Sequence, residues 1–127
     1  MTDPTPFDAT EFVALFFDLF ESSSDAVFMI TVPDGHIMDV NDAALRLFGM
    51  TRSATFDKTT LELGMWADPT DRETWLAEIE EEGRVKRFPA RFRTRSGEEF
   101  TMVLSGTLAR YRGERVILSV GTVVGDH

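Results

Sequence analysis

The chain has 127 residues, 43% of them apolar and 28% charged, with a formal net charge of -9 and no cysteine. That balance describes one ordinary globular domain and excludes a bilayer-spanning protein, because the longest apolar runs fall well short of the ~20 residues a crossing needs. Without thiols there are no disulfides, no thiolate nucleophile and no Cys-ligated zinc or iron–sulfur cluster, and the acidic surplus argues against a nucleic-acid interface. Met1 to Thr10 is acidic and polar, without the ordered regions of an export signal, so the cytoplasm is the expected compartment.

Asp8 and Glu11 stand at capping-box spacing, with Asp in place of the usual Ser or Thr, ahead of apolar residues at Phe12, Leu15, Phe16, Leu19 and Phe20. This period predicts an amphipathic helix, ended by Glu21 and the run Ser22-Ser23-Ser24-Asp25. Val27 to Val32 predicts a short strand, Pro33-Asp34-Gly35 a turn, and His36 to Val40 the returning strand. Asn41 or Asp42 caps a short helix that carries Ala44, Leu45, Leu47 and Phe48 and stops at Gly49. Thr51 to Asp68 has no clear period, but Phe56, Leu61, Leu63, Met65 and Trp66 suit short helical turns against a core. Asp68-Pro69 then opens a longer helix, with Trp75, Leu76 and Ile79 on one side, Glu78, Glu80, Glu81 and Glu82 on a solvated side, and Gly83 as the stop. Val85 to Thr94, Glu99 to Ala109 and Arg115 to Val124 predict a meander of three strands joined at Ser96-Gly97 and Arg112-Gly113. The class is therefore α+β: a five-stranded antiparallel sheet with short helices on one face and the N-terminal amphipathic helix on the other.

Several of these residues fall in a familiar order. The Asp34-Gly35 turn, the Asn41 after the second strand, the Phe48-Gly49 helix end, the Arg95-Ser96-Gly97-Glu98 hairpin and its Gly113-Glu114 successor together resemble a PAS sensor domain. The likeness runs from about Leu19 to Val124, and divides the chain into an N-terminal cap and dimerisation helix, residues 1–24, and the PAS domain, residues 25–127. It departs at the end of the last strand, where many PAS domains place a coupling Asp-Ile-Thr triplet and this chain has Val123-Val124-Gly125.

The resemblance implies a small cavity between the concave sheet face and the middle helices. Strand alternation, applied to that expectation, points Met29, Thr31, Ala90, Phe92, Met102, Leu104, Gly106, Ile117, Ser119 and Gly121 inward, with Trp66, Trp75 and Ile79 closing the far side. None of these is charged, so a bound molecule is expected to be small and mostly apolar, with Thr31 and Ser119 offering hydrogen bonds. An ordinary filled core lined by the same residues is the alternative. A cysteinyl-flavin photocycle is excluded for want of a cysteine. Haem lacks a suitable axial ligand, since His36 lies at a hairpin edge and His127 at the terminus. A non-covalent flavin flanked by the two tryptophans stays open, and no resident cofactor is the leading expectation.

Catalysis has little support. Asp34, Asp39 and Asp42 fall where turns and caps explain them, and neither a nucleophile–base pair nor a calcium-loop spacing is present, so neither an enzyme nor a metal site is expected. The outer sheet face is another matter. Val116, Leu118, Val120, Thr122 and Val124 alternate outward, with Phe28, Ile30, Val32 and Val103 expected beside them, and so apolar a face needs a cover. The five stripe residues of the N-terminal helix supply one, worth roughly 7–15 kcal/mol as an upper bound. Val13 and Phe17 lie beside that stripe, which leads to an expected parallel homodimer through Phe12, Val13, Phe16, Phe17, Phe20, Leu118 and Val120, the alternative being a monomer whose helix folds onto its own sheet. The function the PAS resemblance implies is a sensor and dimerisation module that senses a small, mostly apolar ligand in the central cavity and passes a signal to an effector such as a histidine kinase or a cyclic-dinucleotide enzyme. The alternative is an interaction module with a filled core and no ligand.

Overall fold

The computed structural model of the chain describes residues 19–125. Five strands, β1 (Ala26–Thr31), β2 (Ile37–Val40), β3 (Arg84–Arg93), β4 (Glu99–Tyr111) and β5 (Glu114–Gly125), form one antiparallel sheet in the order β2-β1-β5-β4-β3. Three helices, α1 (Asp42–Phe48), α2 (Arg52–Thr55) and α3 (Pro69–Glu82), lie between β2 and β3 in the chain. Phe12, Val13, Phe16 and Phe17 of the expected N-terminal helix lie outside the described residues. Its last turn, residues 19–22, is helical, with Phe20 buried and Leu19 exposed.

Local chemistry sets most boundaries. Asn41 caps α1 through its side chain, and Gly49 ends the helix in the left-handed region. Asp68 caps α3, Pro69 occupies its first turn, where a missing N–H costs nothing, and Gly83 closes it. Tyr111 faces Glu114 across Arg112-Gly113, both at positive φ, as the tight turn of a right-twisted hairpin requires. In the segment without a period, Thr51 caps the four-residue α2, and Thr59 and Glu62 then bond each other's backbone amides at 2.9 and 3.0 Å. One expected solvated carboxylate is engaged, because Glu80 of α3 accepts a hydrogen bond from Arg115 of β5.

β1 sits on the sheet in the opposite phase to the one its sequence suggested. Phe28 pairs with Ser119 and Ile30 with Ile117, which puts Phe28 and Ile30 on the helix-covered face, while Met29 pairs with Leu118 on the outer face. Val32 also packs against the inner core. The strand reads AVFMIT, and both Phe28 and Met29 are buried, so alternation within it carries no phase and pairing with β5 decides. The inner core is aromatic at its centre: the Phe48 ring meets Phe28, Phe92 and Phe100 at centroid distances of 6.0, 6.2 and 5.4 Å.

Candidate functional site

Two small cavities lie between the inner sheet face and α3, each of about 30 Å³, room for roughly one or two waters. They adjoin, sharing Ile30, Thr60, Trp66, Trp75 and Ser119. The first reaches toward the β1–β2 turn, where Gly35 and Arg72 complete its wall. The second runs under the aromatic core, lined by Phe28, Phe48, Met65, Phe92, Met102 and Leu104. Of the residues expected to line a cavity, Trp66, Trp75, Phe92, Met102, Leu104, Ile117 and Ser119 do so. Ile79 and Ala90 are buried in the core beside them. Met29 is a correction, being on the other face. Thr31 touches the first cavity, but its hydroxyl accepts the His36 amide at 3.1 Å and so belongs to the hairpin turn.

Gly106 and Gly121 act differently from the expectation. A Cβ on Gly106 would stand 2.7 Å from the Trp75 ring, and one on Gly121 2.8 Å from the Met102 sulfur. The missing side chains therefore admit Trp75 and Met102 onto the sheet, and the hollows are filled.

The polar groups are few and unequal. Thr60, buried, accepts a hydrogen bond from the Trp66 indole at 3.1 Å. Ser119 is 5% exposed and lines both cavities, yet its hydroxyl has no protein partner among the described residues. An unpaired buried hydroxyl costs free energy, and a site that keeps one usually holds water or a ligand there. Arg72 donates from Nη2 to the Pro33 carbonyl at 2.9 Å, its guanidinium fitting against Gly35, and makes no ion pair among the described residues. Sequence reasoning missed Arg72, Thr60, Phe28 and Ile30. The signal for Arg72 was present: it precedes Trp75 and Ile79 by three and seven positions, on the same helix face.

Carboxylates near the second strand are structural. Asp39 and Asp42 both bind Arg52, at 3.2 and 2.9 Å, and Asp39 also accepts the Val40 amide. Among the described residues no cluster of three or more His, Asp or Glu side chains is placed to hold a metal. His36 lines an open groove with Phe56 and Glu114 and lines neither cavity.

On the outer face, Val27, Met29 and Val116 are buried, whereas Val120 and Val124 are 38% and 59% exposed. Leu118 and Val120 floor an open groove of about 320 Å³ whose rim includes Arg84 and Lys86. The rim belongs to a basic stretch: nine of the thirteen Lys and Arg residues lie between Arg84 and Arg115, against three carboxylates. No described helix is long and apolar enough to cross a membrane.

The family model described as a PAS domain matches residues 24–124. Among solved structures, a PAS domain from a two-component sensor histidine kinase superposes with a TM-score of 0.76 at 19% identity, covering 92% of this chain and 100% of its own. A domain of a sensory box sensor histidine kinase/response regulator from Geobacter sulfurreducens gives 0.73 at 26% identity, with 90% and 96% covered. The PAS domain of an HTR-like protein from Haloarcula marismortui gives 0.73 at 22%, with 91% and 94% covered. No curated protein matches the chain.

Proposed function

Because this chain belongs to the PAS domain family, we propose that it is the sensing and dimerisation module of a cytoplasmic signal-transduction protein, binding a small molecule between sheet and α3 and acting on an effector such as a histidine kinase or a cyclic-dinucleotide enzyme. The observation that carries this reading is the pair of adjoining cavities meeting at Ser119, whose buried hydroxyl has no partner among the described residues. The sensor-kinase origin of two similar domains supports the kind of effector. Residues 1–24 form the cap and dimerisation segment in this reading, and residues 25–127 the sensing domain. Asp8, Glu11, Asp18 and Glu21 lie among that segment's apolar residues, complementary to the basic rim and apolar floor of the outer groove, so a second copy's segment suits this face.

Signal passes through β5. Ile117 and Ser119 line the inner cavities while Leu118 lines the outer groove, so a ligand that displaces Ser119 moves the residues between the two faces. Such a ligand shifts the module only as far as it binds one arrangement better than the other.

The filled hollows at Gly106 and Gly121 favour a second reading, an interaction module with a closed core and no ligand. Native mass spectrometry against the denatured mass separates the two. Added non-covalent mass on a doubled chain supports the ligand-binding dimer. A bare doubled chain moves the assignment to the closed-core module, and a bare single chain removes the dimer.

A further inference from the structure

Resting on the ligand-sensing reading above, we infer that the two cavities together form a site for a short-chain monocarboxylate, with its carboxylate at Arg72 and Ser119 and its hydrocarbon tail under Phe48. Two independent observations point to an anionic head. Arg72 is a cation at the wall of the first cavity that uses one N–H on the Pro33 carbonyl and has no carboxylate partner among the described residues. Ser119 lines the same cavity with a buried hydroxyl that has no partner among the described residues, and a hydroxyl and a guanidinium on the walls of one small cavity can both donate to a shared anion. Thr60, whose oxygen accepts the Trp66 indole, keeps its own proton for the same acceptor.

The second cavity settles the rest of the molecule. Phe28, Phe48, Met65, Phe92, Met102 and Leu104 offer no polar side chain, so what extends there is hydrocarbon. A dicarboxylate leaves charge without a partner at that end, and an ammonium is repelled at the other. Two volumes of about 30 Å³ bound the size: acids of about two to four carbons fit with small shifts of Trp75, and longer ones force it off Gly106.

Trp66 and Trp75 are the chain's two tryptophans and both line both cavities, so tryptophan fluorescence, excited selectively over Tyr111, reports on the site. The full chain is titrated at constant ionic strength with acetate, propionate and butyrate, and with the uncharged isosteres propionamide and 1-propanol. Saturable emission changes are expected for the acids, with propionate binding at least about tenfold more tightly than its isosteres. Arg72→Gln abolishes that preference and Arg72→Lys largely keeps it, while circular dichroism shows both folded; Ser119→Ala weakens propionate severalfold. Isosteres binding as well as the acids, with Arg72→Gln without effect, overturns the carboxylate and leaves a neutral-ligand sensor. No saturable response to any of the five overturns the carboxylate and, with bare native mass, the sensing reading as well.

Discussion

Asn41 is the side chain on which the junction of three elements depends. It is fully buried, and its Oδ1 accepts the amides of Val27 and Ala44 at 3.0 Å each, while its Nδ2 donates to the carbonyls of Phe20 and Asp25, also at 3.0 Å. One amide thereby joins the helical turn at 19–22, the start of β1 and the first turn of α1. Replacement by Ala leaves two buried N–H groups and two carbonyls without these partners. At about 1–3 kcal/mol for each orphaned buried donor, with smaller losses at the carbonyls, the expected cost is roughly 3–6 kcal/mol. That is a large part of a typical net stability of ~5–15 kcal/mol. Asn41→Asp is the sharper probe, because it keeps the acceptor for Val27 and Ala44 but turns an oxygen toward two carbonyl oxygens. The new carboxyl is then held protonated and its folded pKa rises above the unfolded value. Its stabilising form is fully present below the unfolded pKa and is lost as pH rises through the folded one. Urea unfolding followed by circular dichroism between pH 4 and about 8 measures both effects. A loss below about 1 kcal/mol for Asn41→Ala, or pH-independent stability of Asn41→Asp relative to the parent, would refute the assignment of Asn41 as the junction.

The two glycines separate by what they meet. Gly106→Ala drives a methyl into the Trp75 ring and is expected to cost about 1–3 kcal/mol, recovered in part with Trp75→Leu. Gly121→Ala meets the flexible end of Met102 and should cost less in the same denaturation assay. Hydrogen bonds from Thr70 hold the Asp68 carboxyl below its ordinary pKa, so its contribution is present above the unfolded value and lost as pH falls through the folded one. Asp68→Asn keeps the cap and should flatten stability across that acidic window, as read by thermal melts. For the proposed dimer, Val120→Glu should yield a folded monomer in analytical ultracentrifugation, and an unchanged dimer mass places the interface elsewhere.

Elements whose signals are local were legible in the sequence. Asn41 with Gly49, Asp68-Pro69 with Gly83, and Arg112-Gly113 each fix an end or a turn by chemistry within a few residues, and the five strands fall where those signals put them. The phase of β1 was not legible, because Phe28 and Met29 are both buried and only its partner strand distinguishes them. Cavity residues contributed by the long strands, and Trp75 of α3, followed from periodicity, whereas Arg72 of the same helix was passed over as a charged residue and Thr60 comes from a segment whose path is set by the Thr59–Glu62 bonds. The glycines misled for a physical reason: a missing side chain marks space in the sequence, and only the fold shows which neighbour occupies it.

The position of β5 at the centre of the sheet governs how the molecule assembles. β3, β4 and β5 pair through hairpins, contacts between near neighbours in the chain, whereas the β1–β5 seam joins Ala26 to Gly121, roughly 95 positions apart. Closing so long a loop is entropically costly before its contacts reward it, so the meander forms first and the β1–β2 hairpin docks later. Mutational φ-values should accordingly be high in the β4–β5 hairpin and near zero at Val27 and Met29, and the reverse distribution would show that the seam nucleates folding. Both the inner cavities and the outer apolar face straddle that seam, so in this order of events each is completed only in the last step of folding.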